Sequence, residues 1–300
     1  MLTYLASTDS TNNRLVEYLR SQRQQRLCVD NLTTFYTDYQ TAGRGQQGNS
    51  WESEAGQNLL FSTYLQSDIS ADCQFRISEL VSVVIARVVA EVLSRHAPEH
   101  ADAVKIKWPN DIYIYDKKVC GILIEHELQG QAVSSIIGVG LNVNQLLFRS
   151  PAPNPVSIRH YTTVALDIHP ILSDILSGFA ASLALLQQPE ELHRLYMSML
   201  YRREGYFRYM ERECSVAPTT IVNAYCDTQT ATRLNTNESE TSLRDASDYS
   251  AASAASSTAA TSFPIFSARI VDVDRFGRLV LQDEAGMLHT YHFKQVRFVV

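Results

Sequence analysis

With 300 residues, 45% of them hydrophobic, the chain is long enough for one large domain plus a smaller one and apolar enough to fill a core. A formal net charge of −6 excludes a global attraction to phosphate backbones, so nucleic acid is not the expected partner. The five cysteines, Cys28, Cys73, Cys120, Cys214 and Cys226, are odd in number, scattered and contain no C-x-x-C pair, so neither a disulfide framework nor a zinc site is indicated and a reducing cytoplasm fits.

The N-terminal stretch MLTYLASTDSTNN has no cationic segment followed by an apolar run, so no export signal is expected. STDSTNNRLVEYLRSQ reads as a helix with Ser10 or Thr11 as its cap and Leu15, Val16 and Leu19 on one face. NLTTFYTD (31–38) reads as a strand that feeds a glycine-rich loop, and NLLFSTYL (58–65) as the strand that follows it. SELVSVVIARVVAEVLS (78–94) is the most apolar run, but Arg87 and Glu91 interrupt it; it reads as a buried helix rather than a membrane span. VKIKWPNDIYIY is expected to form one strand that alternates from Ile112 to Tyr115, DKK a turn, VCGILIEHEL the returning partner, and SSIIGVGLNVN a further strand ending in a polar loop.

From residue 150 the character changes. SPAPNPVS reads as a proline-rich surface segment and 170–200 as helices. Thr228–Ser262 is rich in Ser, Thr and Ala and cannot bury enough apolar surface to offset its ordering entropy, so it is expected to be a disordered insert. TTIVNAYC before it and FSARIVDVDRFGRLVLQDEAGMLHTYHF after it are both β-like, with turns at Asp274–Gly277 and Asp283–Gly286. The insert is thus expected to interrupt a small β domain.

The loop YQTAGRGQQGNSW contains Gly43, Gly45 and Gly48 in the spacing G-x-G-x-x-G. A dinucleotide fingerprint needs a helix directly after the glycines to receive the pyrophosphate, and here a polar segment and a strand follow. A kinase loop does lie between strands, but no H-R-D or D-F-G element accompanies it. Taken alone, the loop fits a surface turn equally well. Ser10–Asn12 alone fits a helix cap, Lys107–Asp111 a tight turn, and Lys118 a solvated hairpin charge followed by a strand glycine, Gly121.

In combination, TDSTNNRL, YQTAGRGQQGNSW, KWPNDIYIYDKKVCGILIE and GVGLNVN resemble the biotin–protein ligase family, from about Thr3 to Asn144 and more loosely through the C-terminal β segment. The resemblance implies an α/β (α+β) catalytic domain with a mixed sheet and packed helices over 1–210, followed by a small SH3-like β-barrel domain over 211–300. It implies ATP-dependent formation of biotinyl-5′-AMP and transfer of biotin to a lysine of a biotin carboxyl carrier protein or domain. Lys118 and Arg44 take the catalytic positions at the biotin carboxylate and α-phosphate. Ser10, Thr11, Asn12, Gln40, Gly43, Gly45, Gln46 and Gly121 fall on the biotin side. Trp51, Lys107, Asn110, Asp111 and Asn142 fall on the adenylate side, with Asp111 also suited to a Mg²⁺ contact. Biotin and ATP are then substrates, with Mg²⁺ as metal and no tightly bound prosthetic group, and the pattern permits a homodimer. The motif STN arrives at residue 10, so a ligase without an N-terminal DNA-reading module is expected, in the cytoplasm, with no membrane partner. A lipoate–protein ligase and a non-catalytic biotin-binding module are the other readings. One departure stands out: Gln46, Gln47 and Asn49 occupy positions where family loops often carry arginines.

Overall fold

The computed structural model describes residues 1–46, 49–129, 132–150, 152–212 and 264–299. The expected insert at 228–262 and the β-like segment 219–226 before it lie outside these residues.

The architecture starts from strand β1 (Leu2–Leu5), helix α1 (Thr11–Gln24) and strands β2 (Thr34–Thr37) and β3 (Leu59–Ser67). Leu15 and Leu19 recur one turn apart on α1 and pack with Phe35 and Tyr64, so the helix lies over one face of the sheet. Helix α2 (Phe75–His96) follows. It is buried almost all round, because strands cover one side and helices the other, which accounts for its apolar composition.

The expected single strand at 104–115 is two: β4 (Val104–Lys107) and β5 (Asp111–Ile114), antiparallel, with Lys107 opposite Asp111. Pro109 cannot donate to a ladder and the chain reverses there. The expected alternation also fails, since Ile112, Tyr113 and Ile114 are all buried. Tyr113 is covered by Lys107 and Tyr201 on the face that the pattern assigned to solvent.

Strands β6 (Lys117–Gln129) and β7 (Ala132–Leu141) complete a seven-stranded sheet in the order β1-β2-β3-β7-β6-β5-β4. Only β1 and β2 run parallel among its neighbouring pairs. Ile112 pairs with Cys120 but Tyr113 with Lys118, so Val119 is an extra residue in β6. This bulge shifts the in–out alternation by one position and brings Lys118 to the same face as Gly121.

SPAPNPVS is only partly a surface segment: Val156 and Ser157 are buried, and the chain pairs with the start of β6 through Lys118 N–H to Asn154 O at 2.8 Å and Val156 N–H to Lys118 O at 3.0 Å. Helices α3 (Arg159–Thr162), α4 (Ile168–Ser182) and α5 (Pro189–Ser198) follow, and α4 and α5 pack on α2. Ile168–Gln187 is long and apolar enough to cross a membrane by length and composition, a test that core helices of soluble proteins also pass; its buried side chains include Ile171, Ile175 and Phe179.

Strands β8 (Phe207–Glu211), β9 (Ile265–Val273), β10 (Leu279–Asp283), β11 (Leu288–Tyr291) and β12 (Val296–Phe298) form a second, antiparallel sheet in the order β11-β10-β9-β8-β12. Both expected turns are present: Gly277 N–H donates to Asp274 O at 2.8 Å and Gly286 N–H to Asp283 O at 3.0 Å, each glycine at positive φ. The second sheet docks on the first assembly. Trp108 Nε1 donates to Gly277 O at 2.9 Å, and His193 on α5 bridges Glu79 on α2 at 2.7 Å and Asp272 on β9 at 2.8 Å.

Candidate active site

The N-terminus of α1, the glycine loop, the β4–β5 turn and the middles of β6 and β7 converge on a cleft of about 160 Å³. The loop connects β2 to β3, two antiparallel strands, and is pinned internally. Trp51 N–H donates to Gly43 O at 3.0 Å and Gly45 N–H to Asn49 O at 2.6 Å. Gln46 anchors the loop to the rest of the site by donating to Asn110 Oδ1 at 3.0 Å and Ile122 O at 3.2 Å.

One end of the cleft is formed by polar, uncharged side chains, with the Arg44–Glu125 ion pair beside them. Ser10, Thr11 and Asn12 are each 3% exposed, too little for a cap facing solvent. Ser10 has the extended backbone of an N-cap residue, yet its side chain makes no capping bond. Gln40 Oε1 accepts from Thr11 N–H at 2.8 Å and from its hydroxyl at 3.1 Å. Ser62 on β3 supports this end, contacting Thr11 Oγ1 at 2.7 Å and Asn12 Oδ1 at 2.5 Å.

The opposite end is charged. Lys118 Nζ lies 2.8 Å from Asp111 Oδ2 and 5.7 Å from the centre of the Trp51 ring. A second ion pair, Arg44 Nη2 to Glu125 Oε2 at 2.7 Å, lies not here but beside the polar end, where the same carboxylate oxygen accepts from Asn12 Nδ2. Lys117, the neighbour of Lys118, is exposed.

Between the two ends runs a floor made by backbone. Gly121 on β6 and Gly140 on β7 lie directly beneath the Trp51 indole, and Gly138 beneath the Asn12 amide; a Cβ at any of the three would meet those side chains inside contact distance. Ile122, Leu123 and Val139 also line the cleft, as does Phe293 from the segment between the last two strands of the second sheet. Such a site takes a ligand with a neutral polar head, an apolar body and an anionic tail.

Of the residues expected at a site, Ser10, Thr11, Asn12, Gln40, Arg44, Gly45, Gln46, Trp51, Asn110, Asp111, Lys118 and Gly121 line this one cleft. Gly43 stands just behind it, where a Cβ would lie 2.7 Å from Trp51 O. Lys107 and Asn142 are not among the lining residues. The Lys107 ammonium bonds Tyr113 Oη at 2.9 Å and sits over the rings of Tyr113 and Phe298; burial holds its pKa below the usual lysine range, partly offset by the charge of Asp111. Asn142 donates to Val156 O at 3.1 Å. Asn142 Oδ1 and Trp51 Nε1 are buried without a hydrogen-bond partner among the described residues.

Sequence reasoning missed Ser62, Glu125, Gly138, Gly140 and Phe293. Period-two alternation from Gly121 reaches Leu123 and Glu125, so that signal was available. A hydroxyl inside an apolar run marks Ser62, and GVG marks the two glycines. Nothing local marks Phe293, which arrives from the second sheet.

Residues 4–142 match the model of the Biotin/lipoate A/B protein ligase family. The chain is 30% identical over 182 residues to the Bifunctional ligase/repressor BirA of Salmonella typhimurium, covering 60% of this chain and 52% of that protein. It is 34% identical over 143 residues to the Biotin--protein ligase of Homo sapiens, covering 46% of this chain and 18% of that one. The matches thus span about half the length of the first relative and less of the second. Among solved structures, the biotin protein ligase from Aquifex aeolicus in complex with biotin and ATP superposes with a TM-score of 0.60 at 19% identity, covering 99% of each chain. At that identity the likeness establishes the fold.

Proposed function

We propose that the protein, whose residues 4–142 match the model of the Biotin/lipoate A/B protein ligase family, is a biotin–protein ligase, which activates biotin with ATP to biotinyl-5′-AMP and transfers the biotinyl group to a lysine of a carrier protein. The observation that carries this reading is the single cleft whose uncharged polar end, Ser10–Asn12 with Gln40, faces a charged end, Lys118 and Asp111, across a glycine floor. Biotin has that order of groups: a ureido ring, an apolar body and a carboxylate.

In the first step a biotin carboxylate oxygen attacks the α-phosphorus of ATP and pyrophosphate leaves. Bringing two anions together requires fixed positive charge at the reacting oxygens, and Lys118 and Arg44 supply it. Asp111 holds Lys118 in place until ligand carboxylate and phosphate compete for the ammonium. Two buried polar atoms that have no partner among the described residues, the Trp51 Nε1 donor and the Asn142 Oδ1 acceptor, belong to residues assigned to the adenylate, although Asn142 stands outside the lining of the cleft. In the second step the neutral ε-amine of the carrier lysine attacks the acyl carbon, forming an amide; AMP leaves and the amine proton is lost. Residues 44–46 and 49–51, which line the cleft, cover the anhydride against water meanwhile.

Among the described residues no cluster of three or more His, Cys, Asp or Glu side chains could cage a metal. Mg²⁺ commonly binds through substrate phosphates and one or two carboxylates, and Asp111, the carboxylate lining the cleft, fits that demand. Mg²⁺ would neutralise charge on the departing pyrophosphate. The boundary expected at 210/211 lies earlier, because β8 (Phe207–Glu211) already pairs with β9 in the second sheet; the catalytic domain is assigned to the residues before Phe207 and an SH3-like domain to the chain from there on. A biotin-dependent ATP–pyrophosphate exchange assay, run beside lipoate, tests the reading: exchange with biotin alone is expected, and exchange only with lipoate, or with neither acid, overturns it.

A further inference from the structure

We propose that Glu125 is a positioning residue that couples recognition of the ligand's polar head to placement of the glycine loop; the inference rests on the biotin reading above. A single atom carries the coupling. Glu125 Oε2 accepts from Asn12 Nδ2 at 2.7 Å and from Arg44 Nη2 at 2.7 Å. The donors come from two elements far apart in sequence, the first turn of α1 and the loop between β2 and β3.

The Asn12 amide is held at both ends. Its Oδ1 meets the Ser62 hydroxyl at 2.5 Å and its Nδ2 meets Glu125, so the amide has one orientation that satisfies both neighbours. Gly138 beneath it leaves no room for a side chain, and the amide is therefore pinned against the floor of the cleft. Without the carboxylate, Nδ2 loses its acceptor and the amide is free to rotate, which scrambles the donor and acceptor that it offers to a ureido ring. Arg44 is the one positive charge between residues 43 and 51, and it forms an ion pair with Glu125. The carboxylate keeps that charge against the sheet beside Asn12.

Both Arg44 and Glu125 side chains are about two-fifths exposed, at 40% and 39%. An ion pair so exposed contributes little to folding stability. A purely structural Glu125 therefore forecasts nearly silent substitutions, whereas a positioning Glu125 forecasts effects on ligand affinity and rate at unchanged unfolding midpoint. The two bonds can also be separated. A glutamine keeps an oxygen that accepts from Asn12 but removes the charge that holds Arg44.

The test measures biotin affinity by titration calorimetry, single-turnover biotinyl-AMP formation and thermal unfolding for the full chain and its Glu125→Ala, Glu125→Gln, Asn12→Ala, Arg44→Ala and Asn12→Ala/Glu125→Ala variants. Glu125→Ala is expected to weaken biotin binding by about tenfold or more, the loss of one hydrogen bond to a charged group. Glu125→Gln should stay within about threefold of wild type for biotin yet slow adenylate formation as Arg44→Ala does. In the Asn12→Ala background, Glu125→Ala should add less than about twofold, since a residue that acts through Asn12 has nothing left to position. The proposal is overturned if Glu125→Ala binds biotin as wild type does, if the Asn12 and Glu125 effects multiply, or if glutamine damages biotin binding as much as alanine. Wild-type protein that fails to bind biotin would bring down the biotin reading itself, a result distinct from wild-type binding with a silent Glu125→Ala. Should the alanine variant fold poorly, the glutamine variant still decides.

Discussion

Gly121 on β6 lies directly under the Trp51 indole: a Cβ built on the glycine would stand 2.6 Å from the ring. The aromatic wall of the cleft thus rests on backbone, and the absence of a side chain at 121 sets its depth. Gly121→Ala must displace Trp51, and overpacking of this kind costs about 1–3 kcal/mol. Because the indole can tilt into the cleft, the loss is expected mainly in ligand affinity, on the order of tenfold or more. Calorimetric titration with biotin and Trp51 fluorescence in a Trp108→Phe background check this; unchanged affinity with an unchanged spectrum contradicts it.

Gln46 carries the second prediction. Its side-chain amide joins the glycine loop to Asn110 Oδ1 and to Ile122 O, doing by hydrogen bonds what a charged side chain does by attraction. Gln46→Ala removes two bonds, each contributing about 0.5–1.5 kcal/mol, and leaves the core untouched. Amide hydrogen exchange in the loop should accelerate by roughly a factor of five or more while the global unfolding midpoint stays put. Exchange at the wild-type rate would show that the loop is held by other contacts.

How much of this was legible follows from where each signal resides. The helix at 75–96 and the two tight turns of the second sheet were readable because local apolar content and Asp–Gly spacing determine them. Most of the cleft was readable because its residues sit in short motifs. The β4–β5 reversal was legible only in part: Lys107–Asp111 taken alone reads as a tight turn, but Val, Ile and Tyr on both sides of Pro109 read as one β-prone run. The bulge at Val119 follows from pairing across β5 and β6, which no single strand encodes. Lys107 reads as a site cation in KWPND, yet its ammonium is taken up by Tyr113 and by the face of Phe298, a residue nearly two hundred positions away. Phe293 and the tie from Trp108 to Gly277 depend on docking of the second sheet and have no local signature.

The bridge from His193 to Glu79 and Asp272 yields a pH prediction. The hydrogen bond to Glu79 raises the His193 pKa to about 9, against the opposing effect of burial and with further help from Asp272. The folded-state pKa lies above the ordinary value of about 6.5, so the stabilisation is fully present below pH ~6.5 and is lost as pH rises through about 9. The unfolding midpoint should fall over that window, and the fall should shrink in His193→Gln. His193→Ala leaves the Glu79 carboxylate, 5% exposed, without its partner and should cost up to about 3 kcal/mol. A midpoint that is flat from pH 6.5 to 9.5 in the wild type refutes the latch.

The central claim is that Lys118 supplies charge to the reacting carboxylate and α-phosphate, and its neighbour provides the control. Lys118 Nζ lies 2.8 Å from Asp111 within the cleft, whereas Lys117 is exposed and outside it. The deciding measurement is single-turnover biotinyl-AMP synthesis by Lys118→Ala and Lys117→Ala, with unfolding midpoints taken in parallel. Loss of one preorganised electrostatic group predicts a fall on the order of 10²- to 10³-fold for Lys118→Ala, with Lys117→Ala close to wild type and both proteins folded. Equal, small effects at the two positions would contradict the account.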